Sequence, residues 1–415
     1  MRLRACLLAI AVVLPIRAFA QTPPPEAPPP PAEAAPPAAP MAPAPAPVAV
    51  VVAPAPVPPP PPAAPAGPAP KFVFGGLVDT YYLFNFTPPS GANTLAFPGP
   101  LVGVGRAFDT SANSITLALA KLSMNASLDP VAFQLDIGYG SVPSIISGSG
   151  GAPSFMVEQA YGTISLPGNL TLDFGKFVTT AGAEVIEAKS NWLYSRSLLF
   201  NIIPFLHTGV RGNLKVNDQL TLQASVVNGW NNDPDLNAWK TVGLSASITV
   251  NPMLALVATT YFGKEAAQVD AMGAPAASTP GDLRVLGDLV AAVTVNSQFG
   301  LNLNVDYIKA FDDIAADYQI GAALMGRYVI SDRLNVAARG EFLASHFDTP
   351  PGGLGPTTVK QGEATVMLGI DVGKNFELRP EIRADFAGQV AGMDILEGGA
   401  KSDAITGELA ALAWF

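Results

Sequence analysis

The sequence predicts an all-β protein, a transmembrane antiparallel up-and-down β-barrel of about sixteen strands. Segments of alternating apolar and polar residues recur from residue 71 to the last residue. Short turns alternate with long connections along this region, and it contains no run of the ~20 apolar residues that a membrane helix needs. The chain is 49% hydrophobic but only 13% charged. This composition suits apolar surface that is spread over strands rather than concentrated in helices.

The first twenty residues have the composition of a secretory signal. An apolar run from Cys6 to Ile16 follows two arginines, and residues 18–20 supply a small-x-small cleavage site. We therefore expect residues 1–20 to be removed and the mature chain to begin at about Gln21. Cys6 is the only cysteine. The mature chain would then have neither disulfides nor thiolate metal sites.

Residues 21–70 consist almost wholly of proline and alanine. Such a segment cannot bury a core and favours the polyproline II conformation, so we expect a disordered spacer. The alternative is a tether to a periplasmic or cell-wall partner. Residues 71–415 are then the barrel domain.

Alternation is regular in several of the expected strands. Leu301, Leu303, Val305 and Tyr307 oppose Asn302, Asn304 and Asp306. The polar face carries arginine and glutamate on neighbouring strands, which suits a shared aqueous lumen better than bulk water. Alternation is weakest over 114–128, where parity slips near Lys121, and over 155–166. Fourteen or eighteen strands remain alternatives to sixteen.

The connections between the expected strands differ in length in a regular way. The short turns contain residues that favour turn conformations; they are Asp129-Pro130, Pro167-Gly168-Asn169, Asn217-Asp218, Asn251-Pro252, Ser297-Gln298, Ser331-Asp332 and Gly373-Lys374-Asn375. The long connections are roughly 87–113, 141–154, 178–205, 230–239, 263–282, 311–317, 347–358 and 387–403. An even number of strands places both ends of the barrel domain on the short-turn side.

The last strand alternates up to an aromatic residue. One parity carries Ile405, Gly407, Leu409, Ala411, Ala413 and Phe415, and the other carries Thr406, Glu408 and Ala410. This ending resembles the final strand that bacterial outer-membrane barrels present to the barrel-assembly machinery. The resemblance implies that Phe415 is a C-terminal insertion signal and that the protein lies in the lipid of the outer membrane.

A more specific resemblance begins in the third long connection. Its residues are Asn191, Tyr194-Ser195-Arg196-Ser197, Pro204-Phe205, His207-Thr208-Gly209 and Arg211, and Tyr81-Tyr82, Gln159-Ala160-Tyr161 and Val227-Asn228-Gly229-Trp230 agree with it. Together they resemble the OmpL-like, porin-2 type family of outer-membrane β-barrel porins over about residues 71–415. This resemblance implies a porin-like channel for passive diffusion of small hydrophilic solutes or ions, with no cofactor.

The third long connection, 178–205, is too apolar to lie free in water. Many sixteen-stranded porins fold this loop into the pore, so we hypothesise that it packs against the inner wall. The aperture would then be lined by Glu184, Glu187, Lys189 and Arg196. The alternative is a loop that caps the outer rim or packs at a subunit contact.

Ionisable residues on the polar parity form a second candidate site. They are His207, Arg211, Arg284, Asp288, Arg327, Arg339, Glu341, Glu363, Asp371, Glu377, Arg379, Glu381, Arg383, Asp385 and Glu408. Charges that line a pore can set its ion preference. They can instead form cross-strand ion pairs that stiffen the wall. The alternating signs along the strand at 377–385 favour such pairing, and both roles stay open.

Other classes of function find little support. The chain has two histidines and lacks a Gly-x-Ser-x-Gly elbow, a phosphate-binding glycine loop and a His-Glu-x-x-His motif. His207 has no serine at strand spacing, so we expect no enzymatic activity, catalytic residue or metal site. The formal charge of −10 argues against nucleic acid as a partner. The alternative function is a plugged structural or adhesive barrel whose long loops bind external partners, and the sequence leaves open whether barrels assemble into oligomers.

Overall fold

The described residues of the computed structural model contain sixteen strands. They are β1 (Lys71–Asn85), β2 (Ile115–Leu128), β3 (Val131–Gly140), β4 (Ser154–Leu166), β5 (Leu170–Val178), β6 (Leu206–Lys215), β7 (Leu220–Val227), β8 (Thr241–Asn251), β9 (Leu254–Glu265), β10 (Asp282–Thr294), β11 (Phe299–Ala310), β12 (Tyr318–Ser331), β13 (Leu334–Phe347), β14 (Thr357–Asp371), β15 (Phe376–Ala387) and β16 (Asp403–Trp414). The structure describes residues 69–86, 105–147, 153–235, 237–265, 282–310, 317–348, 355–389, 396 and 401–415. The expected signal and nearly all of the expected spacer lie outside these ranges.

The strands close into a single antiparallel barrel. Each strand pairs with its neighbours in the chain, and β1 pairs with β16 to complete the ring. At this seam, Leu83 lies opposite Glu408 and Leu77 lies opposite Trp414. The predicted fold class and the count of sixteen strands are confirmed, and the counts of fourteen and eighteen are excluded.

Burial follows the alternation that the sequence displays. On β16, Ile405 and Leu409 are 41% and 50% exposed, whereas Ala410 and Leu412 are fully buried. Because successive side chains point to opposite faces of a strand, the exposed set faces outward and the buried set faces the interior. The outer wall is therefore apolar, and the polar parity faces inward.

The short turns owe their geometry to particular residues. Gly168 and Asn169 adopt positive φ angles of 83° and 59° in the turn between β4 and β5, a conformation that glycine and asparagine tolerate best. The Asn217 side chain accepts hydrogen bonds from the backbone N–H groups of Gln219 and Leu220, at 2.8 and 2.9 Å. These local interactions end one strand and begin the next within a few residues.

Two bulges explain where the alternation was hard to follow. Between β1 and β2, Asp79 pairs with Leu119 but Thr80 pairs with Leu117, so one residue of β2 is inserted. Between β3 and β4, the register shifts at Asp136, and Glu158 is the additional residue. A bulge reverses the parity of side chains beyond it. The slip in β2 therefore lies at residue 118, close to Lys121 as expected.

Helical structure in the described residues is limited to short segments. α1 (Ser141–Ile146) follows β3, α2 (Leu198–Ile202) precedes β6, and a single 3-10 turn covers Ala188–Ser190. Within the described ranges, no helix is both long enough and apolar enough to cross a membrane. Both α2 and the 3-10 turn belong to the connection between β5 and β6.

Candidate functional site

The connection between β5 and β6, residues 179–205, lies inside the barrel; we refer to it as the inner loop. Near its start, the Thr180 hydroxyl donates to Gln223 Oε1 on β7 at 3.1 Å. Further along, the Ala183 N–H donates to Asn304 Oδ1 on β11 at 3.0 Å. The loop thus passes along the inner surface from one side of the barrel towards the other.

On the far side, the inner loop meets a group of charged side chains that we name the charged wall. They project inward from β13 to β16 and are 1–8% exposed. The group consists of Arg339, Glu341, Glu363, Glu377, Arg379, Glu381, Arg383, Asp385 and Glu408.

Three arginines of the charged wall bind backbone carbonyls of the inner loop. Arg339 Nη1 donates to the Ser195 carbonyl at 2.8 Å, and Arg383 Nη1 donates to the Arg196 carbonyl at 2.7 Å. Arg379 Nη1 donates to the Ala188 carbonyl at 2.6 Å. An irregular segment cannot pair its own backbone groups, so buried carbonyls require partners from elsewhere.

Glutamates of the charged wall bind the opposite kind of backbone group. Glu381 accepts from the Tyr194 N–H at 2.9 Å, and Glu341 accepts from the Leu198 N–H at 2.6 Å. The latter interaction lies at the first turn of α2, whose N–H groups have no partner within the helix. The charges of the wall are therefore used mainly to hold the inner loop in place.

Charges within this contact also pair with one another. The Arg339 guanidinium lies 2.6 Å from Glu363 Oε1 and 2.8 Å from Glu184 Oε1 of the inner loop. Arg383 Nη2 lies 2.6 Å from Asp385 Oδ1. Buried charges are tolerated only when they are paired and hydrogen-bonded, and these partners meet that condition.

Apolar side chains fill the remaining space between loop and wall. Leu193 and Leu199 are fully buried, and Phe200 is 3% exposed. The Phe200 ring packs against Phe108 and Phe205, with ring centroids 5.5 and 5.1 Å apart. This packing explains why a connection with so many apolar residues lies in the interior.

A second attachment joins the inner loop to β2, β3 and β4. Lys121 Nζ lies 3.2 Å from Asp136 and 3.0 Å from Glu158, and it forms an ion pair with Glu187 of the loop. Burial alone would raise the pKa of the Glu187 carboxyl, but the Lys121 ammonium outweighs it and holds that pKa below its ordinary value of 4.5.

The connection between β1 and β2 also contacts the inner loop. Within its described part, residues 105–114, Arg106 pairs with Asp109, and Arg106 Nη1 donates to Thr406 Oγ1 on β16 at 2.9 Å. The Asn201 amide donates to the Gly105 carbonyl at 3.3 Å. The two connections therefore pack on each other inside the barrel.

The four residues expected to line an aperture lie in different environments. Glu184 and Arg196 are 5% and 4% exposed and act as partners within the loop contact; Arg196 donates to the Tyr194 carbonyl at 3.0 Å. The Glu187 side chain is 22% exposed beside Lys121. Lys189 is exposed, and its ammonium lies 4.4 Å from the centre of the Trp414 ring.

The remaining inward residues lie mostly outside the charged wall. His207 is buried, stacks on Tyr261 and places Nδ1 3.0 Å from the Gly229 carbonyl oxygen. Arg211 pairs with Asp173 at 2.9 Å.

Three other ionisable residues face inward on β10, β12 and β14. Arg284 on β10 lies over the Trp230 ring, and Arg327 on β12 donates a hydrogen bond to Asn335. Asp371 on β14 is half-buried.

Asp288 is the member of this inward set that belongs to a carboxylate pair. It lies directly opposite Asp306 on β11 in the strand register. The Asn304 amide donates to Asp288 Oδ1 at 2.8 Å, and the other end of that amide accepts the Ala183 N–H. This pair therefore lies where the inner loop first meets β11.

Several residues of the site were missed by sequence reasoning. Lys121 lies close to the bulge in β2, and Glu158 is itself the additional residue of the bulge in β4, so the parity of both is obscured. Asp79 accepts a hydrogen bond from the Tyr194 hydroxyl at 2.8 Å. Its signal was that it is the single acidic residue of β1. Asp306 stood in a recognised polar parity but was not taken as a lumen residue.

Among the described residues, no group of three or more histidine, cysteine, aspartate or glutamate side chains is arranged to hold a metal ion. The charged wall instead binds the polypeptide itself. The site is therefore an interior segment of chain, held by the charged wall and by further contacts with β2, β7 and β11 of a closed barrel.

This architecture is the porin-like channel fold of the outer membrane. It combines a sixteen-stranded antiparallel barrel, an apolar outer wall and an inner loop formed by the third long connection. Residues 71–415 match the family model described as "Putative beta-barrel porin-2, OmpL-like", and the chain belongs to this family. A porin family comprises channels rather than enzymes. A search of curated protein sequences found no match.

Solved structures of outer-membrane proteins share the fold at low sequence identity. The loop L8 deletion mutant of OmpT from Vibrio cholerae aligns with a TM-score of 0.57 and 13% identity, over 84% of this chain and 100% of that one. OprB of Pseudomonas putida gives 0.52 and 14%, over 83% and 94%. An anion-selective porin from Comamonas acidovorans gives 0.53 and 11%, over 84% and 100%. These similarities concern the fold.

Proposed function

We propose that this protein is a passive channel for small hydrophilic solutes and that the inner loop is its constriction. The observation that supports this most directly is the attachment of the loop to opposite sides of the barrel. Thr180 contacts β7, whereas Tyr194 and Ser195 contact β15. Solute can pass only through the space that this crossing segment leaves free.

A plugged barrel is the second candidate function. The observation that favours it is the near-complete burial of the charged wall beneath the inner loop and the first connection. In that case the long connections would act as binding surfaces for external partners, and the barrel would serve as their anchor.

Recording the purified protein in a planar bilayer separates these two functions. If the protein is a channel, we expect discrete conductance steps and swelling of proteoliposomes in small hydrophilic solutes. A protein that is electrically silent, yet shifts in electrophoretic mobility on heating as an intact barrel does, would support the plugged barrel and contradict the channel.

We further propose how the protein is exported and assembled. In this proposal, residues 1–20 direct secretion and are cleaved, residues 21–70 form a spacer that contacts a periplasmic or cell-wall partner, and residues 71–415 form the barrel. Phe415 is presented to the barrel-assembly machinery; its ring lies against Gly76 on β1, and it is 75% exposed. N-terminal sequencing of protein from outer membranes should read from Gln21, and deleting Phe415 should lower the yield of folded barrel.

A further inference from the structure

Six uncharged polar side chains project inward from β6, β7 and β8, in the half of the barrel nearest the short turns. We name them the neutral arc: Asn213, Thr221, Gln223, Ser245, Ser247 and Thr249. Residues of the opposite parity, such as Leu222, Leu244 and Ile248, are 40–46% exposed on the outer wall. The alternation of side chains therefore places the neutral arc on the interior face.

The neutral arc is open where the charged wall is covered. Thr221, Ser247 and Thr249 are exposed, and Gln223 and Ser245 are half-buried. Arg339 and Arg383, by contrast, are 3% and 1% exposed beneath the inner loop. A solute inside the barrel therefore meets hydroxyl and amide groups on this side, while the charges of the wall are already bound to the loop.

The side chains of the neutral arc form rows across the strands. Asn213, Gln223 and Ser245 lie side by side in the strand register, and Thr221 lies beside Ser247. Gln223 Nε2 donates to Asn213 Oδ1 at 2.7 Å, and the Ser245 and Thr259 hydroxyls lie 3.0 Å apart. Neighbouring strands are about 4.8 Å apart. The exposed hydroxyls of Thr221, Ser247 and Thr249 on β7 and β8 can therefore both donate to and accept from a solute.

Charges that border the neutral arc are paired with each other. The Arg211 guanidinium lies 2.9 Å from Asp173, and Lys215 lies 2.7 Å from Asp218 at the rim. Each pair contains one charge of each sign, so their fields largely cancel a few ångströms away. The arc itself contributes no charge that would attract one sign of ion.

From this arrangement we infer that the solutes favoured by the channel are uncharged, polyhydroxylated small molecules, and that the neutral arc is their path. The inference rests on the proposed channel function. A solute hydroxyl exchanges its hydrogen bonds with water for similar ones with the arc at little net cost. A charged solute finds no counter-charge there and loses part of its hydration.

The test uses the full mature protein in proteoliposomes. Swelling rates are compared for glucose, for the anion gluconate and for the cation glucosamine, which are similar in size. We expect glucose to enter several-fold faster than either charged analogue. In planar bilayers, we expect the potassium-to-chloride permeability ratio to lie between about 0.5 and 2, as in a pore without a charged filter.

Two serine-to-aspartate variants locate the path. Ser247→Asp places a charge in the neutral arc, and we expect it to raise the potassium-to-chloride permeability ratio about threefold or more. Ser297→Asp places the same charge on an exposed turn between β10 and β11, and we expect no change. Thr249→Asp is a second probe of the arc, in case the first variant does not fold.

The outcomes distinguish the inference from the function on which it rests. Strong ion selectivity in the unaltered channel, or faster entry of gluconate or glucosamine than of glucose, would overturn the inference and leave the channel proposal intact. Equal permeability ratios for Ser247→Asp and Ser297→Asp would also overturn it. An absence of both conductance and swelling would overturn the channel proposal and the inference together.

Discussion

The Arg339 guanidinium on β13 donates a hydrogen bond of 2.8 Å to the backbone carbonyl of Ser195, at a separation of 144 residues in the sequence. The same guanidinium also binds Glu184 and Glu363. One side chain thus joins the barrel wall to the main chain and to a side chain of the inner loop. This relationship indicates that an inward charge of a barrel can have a structural role in positioning a loop.

Replacing Arg339 should be among the most damaging single changes in the barrel. Arg339→Met leaves Glu184 buried without its cationic partner and leaves Glu363 with only the more distant Arg383, 3.7 Å away. Breaking such a buried pair costs about 3–5 kcal/mol. We expect a lower free energy of unfolding in detergent and noisier single-channel current, because the inner loop loses its central anchor.

Arg327→Met is the matched control for this change. Arg327 faces inward from the neighbouring strand β12 and donates to Asn335 Oδ1 at 3.2 Å. Its replacement should cost about 1 kcal/mol, as for one ordinary hydrogen bond. Equal losses of stability in the two variants would show that Arg339 has no special role.

Helix α2 approaches β12 closely at Gly321, and enlarging this glycine tests that contact. A Cβ atom at Gly321 would lie 2.4 Å from Leu199 Cδ2 and 2.7 Å from the Phe342 carbonyl oxygen. Gly321→Ala should therefore displace the inner loop and lower the free energy of unfolding by about 1–3 kcal/mol.

Gly287→Ala provides the comparison on β10, which β11 separates from β12. Nothing lies within 4 Å of a Cβ atom at Gly287, so its free energy of unfolding should change by no more than about 0.5 kcal/mol. Urea titrations of both variants in the same detergent measure the difference. If Gly321→Ala is as stable as Gly287→Ala, α2 does not pack against β12 in this way.

The hydrogen bond between Tyr194 and Asp79 should contribute measurably to the free energy of unfolding. Tyr194→Phe removes the hydroxyl that donates to the buried Asp79 carboxylate, which should cost about 1–3 kcal/mol. Tyr161→Phe removes a hydroxyl from a half-buried position on β4 and should cost less than about 1 kcal/mol. A smaller loss for Tyr194→Phe than for Tyr161→Phe in urea unfolding would contradict this assignment.

Acid should weaken the attachment between Glu187 and Lys121. The pKa of Glu187 is lower in the folded protein than in the unfolded chain. The ion pair therefore stabilises the loop above the unfolded value and is lost as pH falls through the folded value. Asp136 and Glu158, which also face Lys121, compete for the same ammonium.

Current noise as a function of pH measures this effect. In the unaltered protein we expect noise to rise between about pH 5 and 3, whereas Glu187→Gln should be noisy already at pH 7. Asp218→Asn removes an exposed turn carboxylate and should keep the unaltered profile. Identical profiles for Glu187→Gln and the unaltered protein would rule out this role of Glu187.

The sequence predicted the strands of the barrel well and the arrangement of the chain inside the barrel much less well. Alternation and turn residues predicted sixteen strands because each depends on neighbours close in the chain. Contacts such as Arg339 with Ser195 depend on where an irregular loop turns within the barrel, which no local pattern encodes. The bulges at residue 118 and at Glu158 also break the parity on which the assignment of inward residues relies.

The expected roles of the charged residues illustrate the same limit. Alternating signs along β15 suggested ion pairing between strands. In the structure, Glu381 accepts from backbone N–H groups of the inner loop, and Arg379 donates to its carbonyls. The composition of the wall was thus predictable, but its principal partner was not, because the partner is backbone and carries no signature in the sequence.

In the channel we propose, the inner loop, held by the charged wall, limits passage through the barrel. Single-channel conductance of the unaltered protein and of a variant lacking residues 183–200 tests it most directly. Heat-modifiability confirms that the variant barrel has folded, and Glu341→Ala with Glu381→Ala supplies a milder release of the loop. We expect a conductance several-fold larger in the deletion variant. An unchanged conductance in a folded variant would contradict it.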